Sequence, residues 1–311
     1  MKINIYNVLI ILALLGVSKR ISAQQLPHLS MFTESHSFWN PAMTAPGNDF
    51  VADVFVRRQW LGFADAPLTG FVGVQMPFDR YNMSAGGYIF YDKTGPISKF
   101  GANFNYAYKI KEMLGDYSQL SLGLNAGLQQ YAYSGSNLIV NDPNDQLLNI
   151  RDNSAFFPSF SVGFYYLSDT RSYRADNTTF IGLSINQILK SNLLVRDWNQ
   201  VRNTHLFFNF GTRLYSTSSF FEPSLAVNYV SPEIMDILLN VKVEFRDLFW
   251  AGLGYSSVNE LTIQGGYIVK DPAGKYTSLR LGVLANIGAN KDLSRFGPGM
   301  ELFVRYMFET K

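Results

Sequence analysis

Phe100-Gly101-Ala102-Asn103-Phe104-Asn105-Tyr106-Ala107-Tyr108-Lys109-Ile110-Lys111 divides into two faces. Phe100, Ala102, Phe104, Tyr106, Tyr108 and Ile110 are apolar or aromatic, while Gly101, Asn103, Asn105, Lys109 and Lys111 are small or polar. Successive strand side chains point to opposite faces, so alternation over about ten residues predicts a strand with one apolar and one wet side. Ile237 to Arg246 repeats the pattern: Ile237, Leu239, Val241, Val243 and Phe245 alternate with Leu238, Asn240, Lys242, Glu244 and Arg246. It recurs to the end of the chain. A soluble lipocalin-like barrel or β-sandwich has the same period. Three features favour lipid outside and polar groups inside: the number of strands, the aromatic character of the apolar face, and the Gly, Ser and Asn opposite it.

The expected fold is therefore all-β, a transmembrane antiparallel up-and-down β-barrel of about fourteen strands. The alternating runs fall near 50–58, 67–77, 82–92, 98–111, 117–131, 155–168, 178–190, 203–216, 219–230, 236–246, 248–256, 259–270, 276–289 and 299–309. Turn residues separate them, as at Asp79-Arg80, Gly115-Asp116 and Asp271-Pro272-Ala273-Gly274. An even count returns both termini to the periplasmic side, where turns are short. The odd connections then lie outside and include Gln59–Ala66, Lys93–Pro96, Ser134–Ser154, Ser191–Arg202 and Asn290–Pro298. Most even connections are short, with Asp169–Asn177 the long exception.

The N-terminus predicts a targeting segment: Lys2, an apolar run from Val8 to Val17, and Ile21-Ser22-Ala23 before Gln24. Residues 1–23 are thus expected to be a cleaved signal peptide, 24–49 an N-terminal plug or periplasmic segment, and 50–311 the barrel. Cleavage would remove three basic residues and no acid, leaving 23 basic against 24 acidic, a net charge of −1. Nucleic acid is excluded as the expected partner. With no Cys there are no disulfides or thiolate metal sites. No apolar run beyond the leader is long enough for a spanning helix, so the chain must cross as a closed barrel. Aromatic residues make up 15% of the chain, enough for girdles where the wall meets the lipid interfaces.

Chemistry is sparse. His28, His36 and His205 have no metal spacing and no nameable nucleophile partner. No enzyme, metal or cofactor is expected. By parity, Lys109, Lys111, Glu222, Lys242, Glu244, Arg246, Arg280, Glu301 and Arg305 point into the lumen. They form either a plug-docking or selectivity surface, or a salt-bridge ladder stiffening the wall. Gly86-Gly87 and Gly265-Gly266 read as sites of curvature or close packing.

One stretch carries more than periodicity. Asn40-Pro41-Ala42 is followed by Arg58-Gln59-Trp60-Leu61-Gly62 and Ala66-Pro67-Leu68-Thr69. This resembles the opening signature of the PorP/SprF family of Bacteroidetes outer-membrane proteins. Weaker echoes are Glu222-Pro223-Ser224, Phe249-Trp250-Ala251-Gly252 and the closing Gly299 to Tyr306. The resemblance covers the chain beyond the leader, with Met300 before Glu301 where the family commonly has histidine. It implies a non-enzymatic barrel of the type IX secretion and gliding machinery. Its implied partners are other secretion components or a secreted surface adhesin held by its C-terminal domain. Physics allows blander roles: Asn40-Pro41 as a fixed turn, Trp60 as an interfacial anchor, and Pro67 as a strand start. The competing functional expectation is an outer-membrane channel for small or hydrophobic solutes gated by Gln24–Asn48, and a more distant one is a lipase using His205. Ser134–Ser154 and Ser191–Arg202 are the expected recognition loops.

Overall fold

The computed structural model describes residues 32, 34, 36–63, 65–134, 152–170, 177–189, 192–195, 198–245, 248–270, 277–290 and 294–310. A short helix α1 (His36–Trp39) and a 3-10 turn (Pro41–Met43) precede the strands. These are β1 (Asp49–Arg58), β2 (Leu68–Phe78), β3 (Met83–Thr94), β4 (Ile97–Lys111), β5 (Gln119–Tyr133), β6 (Asn153–Leu167), β7 (Thr178–Asn186), β8 (Asn192–Val195) and β9 (Trp198–Val201). They continue as β10 (His205–Ser216), β11 (Ser219–Ser231), β12 (Ile234–Phe245), β13 (Phe249–Ser256), β14 (Glu260–Lys270), β15 (Thr277–Gly288) and β16 (Gly299–Glu309).

Fourteen of these strands form one closed antiparallel barrel in chain order, with β7 pairing directly to β10. Every alternating run of the sequence becomes a barrel strand. Strands β8 and β9 form a separate hairpin inside the connection expected to be the loop Ser191–Arg202. Four residues per strand are too few to display a period, which is why the hairpin escapes notice in the sequence.

Burial decides what surrounds the barrel. On β4 the inward side chains of Asn103, Asn105 and Lys109 are buried, while Phe100, Phe104 and Tyr108 face out. Lys109 is 1% exposed and Phe104 57% exposed, the reverse of a soluble barrel. An outer face of Val72, Val74, Leu124, Leu128, Ile263 and Val283 is stable only against hydrocarbon. Among the described residues no helix is long and apolar enough to cross a membrane, and the strands do so instead.

Closure joins β1 to β16 over ten residue pairs. Two of these pairs are lumen ion pairs: Asp53 opposite Arg305, with Oδ1 and Nε 2.6 Å apart, and Arg57 opposite Glu301, with Nη1 and Oε1 3.2 Å apart. Slipping the register by four residues in either direction would bring like charges face to face. Unlike charges across strands help set register, and like charges oppose it. The sequence pattern of β1 carries both missed members of this lock, since Val51, Asp53, Phe55 and Arg57 share one parity.

Candidate functional site in the barrel lumen

The lumen is filled from the N-terminal side. Asn40 is extended and caps the 3-10 turn: its Oδ1 accepts from the Ala42 N–H at 2.9 Å, and Pro41 starts the turn where no amide hydrogen is needed. The other half of the Asn40 amide faces the wall, where Nδ2 donates to the carbonyls of Phe164 (2.9 Å) and Leu183 (3.4 Å). The wall opposite this turn is cut back to glycine. A Cβ on Gly123 would fall on the Pro41–Ala42 backbone, and one on Gly163 would fall on the Asn40 side-chain oxygen. The family-signature residues Asn40, Pro41 and Ala42 therefore sit as a wedge, all buried, in a seat made of small residues on β5 and β6.

Wall side chains then follow the segment by its carbonyls. Asn105 donates to Ser37 O at 2.9 Å, and Asn186 and Ser184 donate to Trp39 O at 2.9 and 2.6 Å. Ser84 donates to Thr44 O, Gln119 to Pro46 O at 3.0 Å, and Lys109 to Gly47 O at 3.0 Å. Gln75 accepts from the Ala45 N–H at 2.8 Å. An irregular segment inside a barrel leaves backbone groups without ladder partners, and buried carbonyls need donors. The inward Asn, Ser and Gln of the wall supply them here. Between the polar contacts lies an aromatic core. Phe38 packs edge-on to Phe71 and Phe90 with ring centroids 5.9 Å away, and Trp39 stacks on Phe207 at 5.2 Å. Phe32, Phe55, Trp250 and Phe303 complete it.

On the opposite wall the segment is held by charge. Glu34 lies between Lys242 (Nζ to Oε1, 2.9 Å) and Arg305 (Nη1 to Oε2, 2.9 Å), with Arg280 4.0 Å away. Arg305 also donates to the Glu34 carbonyl. Lys242 reaches Glu222 at 3.3 Å, Glu222 pairs with Arg213, and Glu244 pairs with Arg280. Burial alone would push the Glu34 carboxyl up, but Lys242, Arg280 and Arg305 hold it well below the ordinary carboxylate range.

Of the charges assigned inward by parity, Lys109, Glu222, Lys242, Glu244, Arg280, Glu301 and Arg305 lie inside. Lys111 does not: it is exposed, because β4 ends there and the side chain leaves the wall at the rim. Arg246 falls outside the described residues, as do residues 1–23 and 135–151. Asp53, Arg57 and Gln75 were legible by parity, and Arg213 by its place opposite Glu222 on a tight hairpin. Glu34 has no signal in the sequence, since nothing periodic surrounds it.

The odd-connection end holds the rest of the signature. Trp60 has a positive φ of 52° and packs on Phe296 at 5.2 Å, while the Leu61 N–H donates to Pro298 O at 2.9 Å. The Gln59 N–H donates to Pro67 O at 3.0 Å, and Thr69 donates to Asp92 at 2.7 Å inside the wall. Arg58, Gly62 and half-buried Ala66 line the first connection near this rim. Trp60 thus ties the first connection to the last one above the β1–β16 seam, beside a cavity of about 200 Å³ lined by Gln59, Glu260 and Asn286. Arg202, buried, turns inward to Pro158 O (2.8 Å), Gln129 and Ser159 (both 2.9 Å). His205 Nδ1 meets Asn228 Oδ1 at 3.3 Å, which is no nucleophile–base pair. Among the described residues no group of three or more His, Asp or Glu could hold a metal ion.

A family model described as type IX secretion system membrane protein PorP/SprF matches residues 21–306. This chain belongs to the PorP/SprF family. It is accordingly a non-enzymatic outer-membrane barrel of the type IX secretion machinery, associated with that machinery and its secreted substrates. No curated protein matches. Among solved structures, the monoaromatic hydrocarbon channel CymD is similar with a TM-score of 0.52 and 9% identity, over 88% of this chain and 92% of that one. A Pseudomonas aeruginosa FadL homologue gives a TM-score of 0.52 and 10% identity, over 88% and 94%. At such identities the likeness is one of fold. The PorP/SprF signature residues sit at two places: Asn40, Pro41 and Ala42 seat the segment in the lumen, and most of the others build the seam-side rim.

Proposed function

We propose that this PorP/SprF barrel works as a closed scaffold whose outward loops hold an exported surface protein, with residues 24–48 as its plug. The supporting observation is the occupied lumen: the segment from Phe32 to Gly47 is packed by aromatics and tied by wall side chains, which leaves recognition to the rim and the outer connections. The loops Ser134–Ser154 and Ser191–Arg202, the second containing the β8–β9 hairpin, are the surfaces that would meet the partner. Long connections on a rigid wall are where barrels place recognition. The mature chain begins at Gln24 in this reading, which an intact-mass measurement of the protein from membranes tests directly.

The deciding experiment deletes 135–151 or 191–201, which leaves Arg202 and the β7–β10 pairing in place, and follows the secreted partner. Its expected outcome is release of the partner into the medium from cells whose barrel still shifts in gel mobility on boiling. Retention on the surface with both connections removed would sink the loop assignment. The competing solute-channel reading requires steady conductance from the purified protein in liposomes, and the scaffold reading expects none.

A further inference from the structure

The acid that the N-terminal segment contributes to the charged cluster is Glu34, and the ion-paired wall residues around it are short of one. Arg213, Lys242, Arg280 and Arg305 face the wall carboxylates Asp53, Glu222 and Glu244, so this ion-paired set alone carries one excess positive charge, while Asp49 and Asp169 also line the adjoining cavity. Glu34 neutralises that excess. Its two oxygens are gripped separately, one by Lys242 and the other by Arg305, each at 2.9 Å. Arg280 stands 4.0 Å off, and its buried Nε has no hydrogen-bond partner among the described residues. A cavity of about 280 Å³ adjoins Glu34, Lys242, Arg280 and Arg305 and reaches Gly47 and Asp49 at the end where the chain enters β1. This is the end with the short connections, hence the periplasmic one. Tyr165, Tyr215, Phe220 and Met307 also line it. Aromatic walls beside a Lys–Arg grip suit the side chains of a peptide better than free phosphate.

We propose that Lys242, Arg280 and Arg305 form a carboxylate-binding site that Glu34 occupies in cis, and that an acidic peptide entering from the periplasmic end exchanges with Glu34 and frees the plug around Phe32 and Glu34. The Asn40 turn is held separately by neutral contacts on β5 to β7, so exchange at Glu34 loosens one side of the segment and leaves the other seated. This reading does not depend on which surface partner the barrel serves.

The full chain lacks cysteine, so a single thiol reports plug position. Phe32 is buried in the stretch that the exchange frees, and Phe32→Cys places the thiol there, while the wedge that begins at Ser37 stays on its neutral contacts. The protein in liposomes is treated with a maleimide, alone and with hexaglutamate, hexalysine or inorganic phosphate. Hexaglutamate is expected to raise the labelling rate about tenfold, and Glu34→Gln in the same background to do so without peptide. Hexalysine and phosphate are expected to leave the rate unchanged. A boiling-dependent gel shift in every sample shows that the barrel is intact. The proposal is overturned if hexaglutamate has no effect, if phosphate or hexalysine acts as strongly, or if the Gln variant labels at the unsubstituted rate. Loss of surface attachment without any change in labelling would bear on the scaffold role and not on the latch.

Discussion

The two sides of the plug are held by different physics. Around Asn40 the contacts among the described residues are neutral: amide to carbonyl, backbone to glycine, ring against ring. Around Glu34 the contacts are charge on charge. A neutral hydrogen bond in a close-fitting seat is nearly indifferent to pH and salt. A buried ion pair is strong when complete and costly when one partner is lost. One end of the segment is therefore built to stay, and the other can be released by changing a charge.

The largest expected effect separates the two sides by removing Arg305. Arg305→Met leaves Asp53 and Glu34 buried without their shared cation and should cost about 3–5 kcal/mol. A urea midpoint for refolded barrel in micelles checks it, and a loss below about 1 kcal/mol would mean that the cluster is wetter than its burial indicates. Next is Gly123→Val, which drives a branched side chain into the Pro41–Ala42 backbone and should cost about 3 kcal/mol if the wedge stays seated. Faster hydrogen exchange across residues 36–47 with an unchanged barrel would show instead that the wedge leaves. A smaller loss, about 1–2 kcal/mol, is expected for Asn40→Ala, which removes the cap and both donations to the wall carbonyls. Protection that survives this change in full would assign the seat to packing alone.

The smallest effect uses pH to tell the sides apart. Glu34 is held below the ordinary carboxylate range when docked, so its contribution to docking is complete above that range. It is lost as pH falls from the free-carboxyl value through the docked one. Lys242, Arg280, Arg305 and neighbouring Glu222 are the charged groups that face it. Acid should lower the protection factors near Phe32 and Glu34, measured against the intrinsic rate at each pH, before it lowers those at Asn40 to Thr44. Simultaneous loosening of both stretches would erase the distinction.

The wall was legible because period two persists through strands such as β4, β5 and β12, long enough to exclude helix and to separate lipid from lumen. Less of the lumen was. Phe55 lies between Val54 and Val56, so both faces look apolar there and the inward ring has no signature. Phe71, Phe90, Phe207, Trp250 and Phe303 defeat the simple rule that the inside of a large barrel is polar, because a plug turns part of it into a core. The seat is harder still to read. Its acceptors are backbone carbonyls, which every residue carries alike, and its most telling wall positions are glycines whose missing side chains make the space. Asn40-Pro41-Ala42 was visible as a motif, but only the fold brings it against Gly123 and Gly163.

The β1–β16 seam also carries information about time. Its strands lie at opposite ends of the barrel sequence, and joining them closes the longest loop of the wall, the slowest kind of contact to form. Arg305 belongs to that last strand and grips both Asp53 on the first strand and Glu34 in the plug. The plug's full ionic anchor, with Arg305 holding Asp53 and Glu34 together, needs β16 seated against β1. In a refolding reaction, protection at Glu34 should lag behind the appearance of the heat-shifted band, never lead it. A single guanidinium thus links the interior to the seam, letting the plug lock only once the closing strand is in place.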